Sequence, residues 1–269
     1  MKYLIDEAIT PGLRDFVSSY LELDDYGVGL KNLSYPVHSL YLDSDELKTF
    51  HTSVNGTRNR YKLRLRYYDD RPQTPVFFEV KARSDNCILK QRCGVRRAAV
   101  PWLVRGHLPE PGQLFSKGPN ELGALQHFIL LMCQIKARPK AHNSYLREAW
   151  VSPDDDSVRI TFDRDIRIEP SFLPEAVIEM KRPTRVFPNL VVLELKFTAR
   201  FPNWFKEMVR RFNLMQFSSA KYAEGVILLG EQQFHDGEKP LDPRRWMPDE
   251  WAAPDLMHAS ASQNAAAYE

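Results

Sequence analysis

Cysteine is scarce in this sequence, which limits the kinds of site that the chain can build. Only 3 cysteines occur among the 269 residues, and their positions, Cys87, Cys93 and Cys133, are too scattered for a disulfide framework or a cysteine-based metal site. No apolar run reaches the roughly 18 residues of a membrane span, and no leader with a charged and then an apolar segment opens the chain. We therefore expect a cytoplasmic protein with reduced thiols and no membrane segment in this chain.

Excess charge of one sign is missing too. The formal net charge is only +2, so overall charge gives no reason to expect nucleic acid, and any basic site must be local. The sequence has no Gly-rich phosphate loop, no Ser-His-Asp elbow and no His-Glu zinc pattern, so the enzyme classes built on them lack support. With 43% hydrophobic residues, the chain can still bury a sizeable core as one large β-rich domain or two small ones.

Three consecutive segments, RYKLRLRYYD, VFFEVKAR and CILKQRC, alternate charged with apolar side chains at the period of a β-strand. Their charged parity consists of Arg60, Lys62, Arg64 and Arg66, then Glu79, Lys81 and Arg83, then Lys90 and Arg92. A solvated face of an amphipathic sheet is the simple alternative. However, like charges that face each other across strands destabilise a sheet unless an anion lies between them. The excess of cations over acids therefore favours a site for a polyanion and a metal.

The same alternation returns in the second half of the chain. The segments NSYLREAW, SVRITFD and NLVVLELKFT place on one parity the residues Tyr145 and Arg147, then Arg159, Thr161 and Asp163, then Glu194 and Lys196. Glu194-Leu195-Lys196 repeats the pattern Glu79-Val80-Lys81. This consistent charged parity predicts an α+β fold, a closed antiparallel β-barrel of about eight strands with a charged lumen. Helices predicted at 11–23, 119–136 and 202–213 would cover its apolar outside.

The chain is expected to divide near residue 230. Residues 1–230 contain all of these strands and form the tunnel domain, whereas residues 231–269 turn to Pro, Asp and Trp and then to Ala, Ser and Gln. That composition predicts a C-terminal extension, partly packed through Trp246 and Trp251 and partly disordered. Residues 101–119, rich in Pro and Gly, are predicted as a loop.

Two features leave alternatives open. Ser218, Ser219 and Lys221 begin a helical segment, where they either hold a phosphate or simply cap the helix. In SLYLDS, Tyr41 and Asp43 share one parity and could line the same cavity as the cations. Ordinary surface positions are the simpler interpretation of these two residues.

Taken together and in this order, KYLI, SLYLDS, RLRYY, FFEVK, KQR, YLREAW, VRITFD, LELKFTARFPNWF and FSSAKY resemble the VTC (vacuolar transporter chaperone) domain over about residues 1–225. This domain belongs to the triphosphate tunnel metalloenzymes, a group that also contains the CYTH hydrolases. The resemblance implies a tunnel that binds the triphosphate of ATP with Mn²⁺ or Mg²⁺. It also implies a transfer of the terminal phosphoryl group to a growing inorganic polyphosphate chain.

The resemblance further implies which residues act. The residues matched to catalytic positions are Lys2, Arg64, Arg66, Lys81, Arg147, Arg159 and Glu194. Those assigned to phosphate binding are Lys90, Arg92, Lys196, Ser219 and Lys221. Glu194 is similar to the family's metal-holding glutamate, and Glu79 is assigned to the metal as well because it has the lumen parity. Eukaryotic relatives carry another lysine a few residues before Lys221, where this chain has Phe217, Ser218 and Ser219.

Three functions remain open: a polyphosphate polymerase, a tripolyphosphatase or nucleoside triphosphatase, and a non-catalytic binder of polyphosphate or single-stranded nucleic acid. CYTH hydrolases resemble one another in a Glu-x-Glu-x-Lys strand, but here only Met1 precedes Lys2, which favours transfer to phosphate over transfer to water. Tyr61, Tyr67 and Phe78 lie on the face opposite the cations, so they offer no stacking platform beside them. The expected ligands are ATP and polyphosphate, with no nucleic acid.

Overall fold

The computed structural model describes residues 1–85, 87–116, 118–153, 155, 157–198, 201–217 and 220–235. In chain order the strands are β1 (Lys2–Asp6), β2 (Glu22–Leu23), β3 (Tyr35–Asp43), β4 (Arg60–Tyr67), β5 (Val76–Ser84), β6 (Cys87–Val95), β7 (Arg138–Val151), β8 (Val158–Pro170), β9 (Thr184–Arg185) and β10 (Leu190–Phe197). The α-helices are α1 (Thr10–Val17), α2 (Lys48–Val54), α3 (Val100–Val104), α4 (Glu121–Gln134), α5 (Asn203–Arg211) and α6 (Lys221–Leu229).

These strands form one antiparallel sheet. Its order is β1-β10-β8-β7-β3-β4-β5-β6, with the short β2 beside β7 and β9 beside β8. The predicted α+β architecture of an antiparallel sheet with flanking helices is therefore confirmed. In the described part of the chain no ladder joins β1 to β6, so the sheet is open between its two end strands. Closure into a barrel stays a prediction.

The sheet is nevertheless strongly curved. Lys2 on β1 and Lys81 on β5 lie six strand spacings apart, which a flat sheet would make about 29 Å. Even so, the charge of Lys81 contributes, after burial and Lys221, to lowering the pKa of Lys2. The pKa of Lys81 is lowered, mainly by burial, and the charge of Glu194 on β10 is the next largest influence and raises it. Because the influence of one charge on another weakens with distance, this mutual influence indicates that β1 and β5 approach each other across a concave face.

The opposite, convex face carries the apolar parity of the strands and is covered by helices. On one half of the sheet, Leu65 and Phe78 pack with Phe128 of α4 in a buried cluster. On the other half, Ile160 packs in a second cluster that contains Phe205 of α5. Each fully buried side chain of this kind stabilises the fold by roughly 1.5–3 kcal/mol. The apolar residues that alternate with the charges thus form the core, which forces the charges onto the concave face.

Helix α6 lies against the concave side of the sheet. The ring of Tyr222 stacks on Tyr41 with centroids 4.8 Å apart, and its hydroxyl donates to Oδ2 of Asp43 at 3.0 Å. A Cβ atom at Gly225 would lie 2.3 Å from Cδ1 of Ile168 on β8. Glycine at this position therefore permits the close approach of the helix to the strand.

Two predicted segments differ from the structure. Helix α1 ends at Val17 instead of residue 23, because residues 22 and 23 pair with β7 and must be extended. The stretch 101–119, predicted as a loop, includes most of α3, because Pro101 falls in the first turn of that helix, where its missing N–H costs nothing. No helix in the described part of the chain is long and apolar enough to span a bilayer.

The predicted C-terminal extension is described only at its start. Glu231–Phe234 forms a 3₁₀-helix, and the ring of Phe234 is fully buried against the cluster that contains Tyr222. Residues 236–269, which include Trp246 and Trp251, lie outside the described residues. The division of the chain near residue 230 remains a prediction.

Candidate functional site

The register of the sheet arranges the charged side chains in rows across the concave face. One row runs from Arg92 through Glu79 and Arg64 to Tyr41 over four neighbouring strands. Because facing side chains on adjacent strands have Cβ atoms about 5 Å apart, charges that are distant in sequence come together. A second row pairs Lys2 with Glu194 and Thr161 on the other half of the sheet.

Glu79 lies at the centre of the first row and is enclosed by cations. Its side chain is 1% exposed; Nη2 of Arg64 lies 2.6 Å from Oε2, and Lys90 Nζ and Arg92 Nε lie 3.4 and 3.6 Å from Oε1. Burial opposes ionisation, but the charges of Arg64, Arg66 and Lys90 outweigh it and hold the pKa of Glu79 well below its usual range. This carboxylate positions Arg64 through Oε2, whereas its Oε1 accepts no hydrogen bond among the described residues, and the metal role predicted for Glu79 stays a prediction.

A second enclosed carboxylate, Asp163 on β8, was not assigned to the site from the sequence. It is fully buried and accepts two hydrogen bonds from Arg147, at 2.7 Å to Oδ1 and 2.8 Å to Oδ2. Nζ of Lys221, the first residue of α6, lies 2.7 Å from Oδ2. Burial raises the pKa of Asp163, but these two cations lower it further, so the carboxylate stays charged. The sequence signal that could have assigned Asp163 to the site is its position on the same face of the strand as Arg159.

Glu194 differs from these two carboxylates because part of its side chain is accessible. Nζ of Lys196 lies 3.7 Å from Oε2, and the side chain is 15% exposed. Burial disfavours its charge, but Lys196, Lys2, Lys221 and Lys81 together lower the pKa of Glu194 to about 2. Glu194 is therefore ionised at neutral pH and retains room for a further ligand.

The lysines of the concave face repel one another. Burial, followed by the charge of Lys221, lowers the pKa of Lys2 to about 8. The pKa of Lys62 is also lowered to about 8, by burial first and by Lys2, Arg60 and Arg64 among its neighbours. Lys62 was seen in the strand pattern but not assigned to the site. Such crowding leaves positive charge that a bound polyanion would neutralise.

The cations of the concave face outnumber its carboxylates among the described residues. The cations are Lys2, Lys62, Arg64, Arg66, Lys81, Lys90, Arg92, Arg147, Lys196 and Lys221, and the carboxylates are Glu79, Asp163 and Glu194. The structure thus brings together most of the residues predicted from the sequence. The excess of positive charge makes the concave face strongly attractive to a chain of phosphates.

Two predicted residues lie apart from this group or outside the described chain. Arg159 pairs with Lys196 in the ladder, but its Nη2 lies 2.5 Å from Oδ2 of Asp24, and its side chain is 36% exposed at the edge of the face. Ser219, like Ser218, lies outside the described residues.

The interpretation of Tyr41 and Asp43 as surface residues is wrong. Tyr41 is buried on the concave face, where its hydroxyl oxygen accepts a hydrogen bond from Nη1 of Arg64 at 3.3 Å. Asp43 is fully buried and accepts hydrogen bonds from the backbone N–H groups of Thr49 and Phe50 at the start of α2. Tyr41 therefore belongs to the site, whereas Asp43 holds α2 against the sheet.

The fit of a divalent metal depends on Glu194. No three His, Cys, Asp or Glu side chains come together as ligands in the described ranges. Mg²⁺ and Mn²⁺ are commonly held by one or two carboxylates together with substrate phosphate oxygens and water. Glu194 fits this arrangement because it is ionised and partly accessible. A metal ion here would need its other ligands from a bound phosphate chain.

Comparison with known proteins gives relatives in sequence and in structure. A Bacillus halodurans protein that its description assigns provisionally to the adenylate cyclases is 11% identical with a TM-score of 0.47, over 82% of this chain and 91% of that one. A Pyrococcus horikoshii OT3 protein is 9% identical with a TM-score of 0.39, over 85% of this chain and 98% of that one. Scores this low carry no inference about this chain.

In sequence, the chain is 24% identical over 239 residues to the Vacuolar transporter chaperone complex subunit 4 of Trypanosoma cruzi (strain CL Brener). The match covers 73% of this chain but only 28% of that protein's length. The family model of the VTC domain matches residues 1–229, which include every strand and every α-helix described above. The chain therefore belongs to the VTC domain family.

Proposed function

We propose that this protein is a polyphosphate polymerase that transfers the terminal phosphoryl group of ATP to a growing inorganic polyphosphate chain. The observation that carries the proposal is the concave face, on which lysines and arginines from opposite ends of the sheet surround one accessible carboxylate, Glu194. The VTC family membership supports it. In this proposal the curved sheet is the wall of a closed tunnel through which the phosphate chain passes.

The cations would act by binding and alignment. Phosphoryl transfer requires the donor and acceptor to be held in line and the charge on the equatorial oxygens to be neutralised. Arg64 and Arg147 are each fixed by a buried carboxylate, so they lose little side-chain entropy when they contact phosphate. Lys2, Lys62 and Lys81 add point charges along the path. These residues would thus align the phosphate donor and acceptor.

The proposed cofactor is Mn²⁺ or Mg²⁺, with Glu194 as its carboxylate ligand. Such an ion, when bound, would neutralise developing charge on the transferred phosphoryl group. Lys196, whose Nζ lies 3.7 Å from Oε2, and Lys2 lower the pKa of this carboxylate and keep it ionised. These residues therefore hold Glu194 in the state that a hard cation needs.

Transfer to a phosphate fits the site better than transfer to water. Attack by water is helped by a group that accepts a proton, and an efficient base has a pKa near the working pH. Glu194 has a pKa of about 2, and Glu79 and Asp163 are bound by arginine and lysine, so none of them suits this role. The end of a phosphate chain is already ionised and needs no such base.

The test is to incubate the purified protein with ATP and Mn²⁺ and to separate polymer from orthophosphate. Polymer is the expected product. Orthophosphate would instead indicate a tripolyphosphatase or nucleoside triphosphatase, and tight polyanion binding without any product would indicate a binding module. Glu194→Gln should abolish the metal-dependent turnover and leave polyanion binding largely intact. Glu207→Gln, on the exposed side of α5, is the matched control and should change neither.

A further inference from the structure

Four aromatic side chains form a continuous strip at one edge of the concave face. Tyr26 contacts Tyr35, Tyr35 contacts Tyr68, and Tyr68 contacts Phe77, with ring centroids 5.9, 6.4 and 6.2 Å apart. We call these four residues the aromatic rim. They come from a 3₁₀-helix at Asp25–Gly27, from β3, from the residue after β4 and from β5. The rim therefore crosses several elements that are far apart in the sequence.

Two members of the aromatic rim, Tyr35 and Phe77, adjoin the cations of the concave face. Tyr35 is paired in the ladder with Arg147, so their Cα atoms lie about 5 Å apart. Cζ of Arg92 lies 3.5 Å from the ring centroid of Phe77, and Nε of the same arginine lies 3.6 Å from Glu79. Aromatic surface thus begins where the phosphate-binding charges end.

The rim is accessible, and the turn that carries Tyr26 is held by a hydrogen bond. Tyr26 is 76% exposed and Tyr68 is 36% exposed, while Tyr35 lies half-buried between them. Tyr26 and Tyr68 are each inclined by 58° to Tyr35, so the three rings form an angled surface and not a closed stack. The backbone N–H of Tyr26 donates to Oδ1 of Asp24 at 3.1 Å, which holds its turn in place.

Such exposed rings contribute little to the core, which raises the question of their ligand. Aromatic side chains beside a cationic groove are the usual platform for nucleobases, because every base has a face that stacks on them. Large exposed aromatic residues contribute to a site when they are held rigid, since less side-chain entropy is then lost on binding. The neighbouring Arg147 would at the same time contact the phosphates of the same nucleotide.

We propose that the aromatic rim binds the base of the nucleoside triphosphate donor while its phosphates extend into the cationic face. This inference rests on the proposed function, because it assigns a place to the nucleoside of the ATP donor. The rim then gives the protein a preference for nucleoside triphosphates over inorganic tripolyphosphate. Because stacking does not depend on the hydrogen-bonding edges of the base, adenine and guanine nucleotides should bind with similar affinity.

The test compares ATP with inorganic tripolyphosphate by calorimetry on the full chain, in the wild type and in the double variant Tyr26→Ala/Tyr68→Ala. We expect ATP to bind about 5- to 100-fold more weakly to the variant, with tripolyphosphate affinity unchanged within about twofold. The double variant Tyr26→Phe/Tyr68→Phe retains the rings and should bind both ligands like the wild type. A fluorescent 2-aminopurine riboside triphosphate should be quenched by the wild type and not by the alanine variant.

A matched control is available on the other side of the molecule. Tyr20 is 43% exposed and stacks on Trp204 at a centroid distance of 4.5 Å, next to α1 and α5 on the convex side. Tyr20→Ala should leave the affinities for ATP and tripolyphosphate unchanged. It removes a partly exposed stacked tyrosine just as the rim variants do, but far from the cations.

The possible failures are distinguishable. If the wild type binds both ligands and the alanine variant binds ATP equally well, the rim inference is overturned and the proposed function stands. Equal weakening of ATP and tripolyphosphate would also overturn it, because the effect would then act through the phosphates or the fold. Binding of a single-stranded oligonucleotide that depends on the rim, with ATP unaffected, would assign the rim to nucleic acid instead. A wild type that binds neither ATP nor tripolyphosphate would end both proposals.

Discussion

Replacing Asp163 by asparagine should destabilise the protein strongly in the absence of polyanions. The aspartate is fully buried, and its two cationic partners, Arg147 and Lys221, are 12% and 10% exposed. Removing one partner of a buried ion pair typically costs about 3–5 kcal/mol, because the remaining charges are left without compensation. At about 2–4 °C per kcal/mol for a domain of this size, the melting temperature should fall by roughly 6–20 °C.

A bound polyanion should reverse part of this loss. Tripolyphosphate supplies the negative charge that Arg147 and Lys221 lose in the variant, so its addition should raise the melting temperature of Asp163→Asn more than that of the wild type. The assay is thermal unfolding followed by circular dichroism, in phosphate- and sulfate-free buffer, with and without tripolyphosphate. An unchanged melting temperature without anion, or the same increase in both proteins, would refute the reasoning.

Asp165→Asn is the matched control for this experiment. Asp165 also pairs with two arginines, Arg167 at 2.6 Å and Arg185 at 3.0 Å, but it is 28% exposed. Its φ of 48° lies in the left-handed region, which asparagine tolerates better than most residues. Because exposed ion pairs contribute only about 0–1 kcal/mol, this variant should melt within a few degrees of the wild type.

Three further predictions concern the concave face and the helices α6 and α4. Because the pKa values of Lys2 and Lys62 are lowered to about 8, tripolyphosphate binding near pH 8 should take up protons and weaken as the pH rises from 7 to 9. Calorimetry in buffers of different ionisation enthalpy measures this uptake, and a buffer-independent enthalpy would contradict it. Gly225→Ala should destabilise the fold by roughly 1–3 kcal/mol in urea unfolding, since its Cβ would overlap β8. Gly123→Ala, where a Cβ meets nothing within 4 Å, should instead stabilise helix α4 by about 0.5–1 kcal/mol.

The faces of the strands were predictable because side-chain direction in a strand is a local property. Successive residues point to opposite sides whatever the strand pairs with. The alternation around Arg64, Lys81 and Glu194 was therefore enough to place these residues on one surface. The helix Glu121–Gln134 was likewise evident from its own composition.

The neighbours of each charge were not predictable, because they depend on which strands pair and in what register. Glu79 and Glu194 occur in the same Glu-x-Lys pattern, yet Glu79 faces Arg64 and Arg92 on its two adjacent strands. Glu194 faces Lys2 and Thr161 instead. The repeated motif thus predicted that both glutamates point to the concave face. Their surroundings differ, and of the two only Glu194 keeps a partly accessible carboxylate.

Contacts between distant elements account for the other differences. The ion pair of Asp163 with Lys221 exists only because α6 packs on the concave side of the sheet. Asp43 caps α2 from several residues before the helix begins, a spacing outside the ordinary capping pattern. Helix α1 stops early because β7 provides a pairing edge for residues 22 and 23, which no local signal reveals.

The most direct test of the account is to map the lysines that a phosphate chain covers, by acetylation and mass spectrometry with and without polyphosphate. Polyphosphate should protect together four lysines that come from four different strands, Lys2, Lys62, Lys81 and Lys196. Lys206, exposed on α5 on the convex side, should react equally in both samples. Equal labelling of the four lysines with and without polyphosphate, at concentrations that saturate binding, would contradict a single cationic surface that holds the phosphate chain.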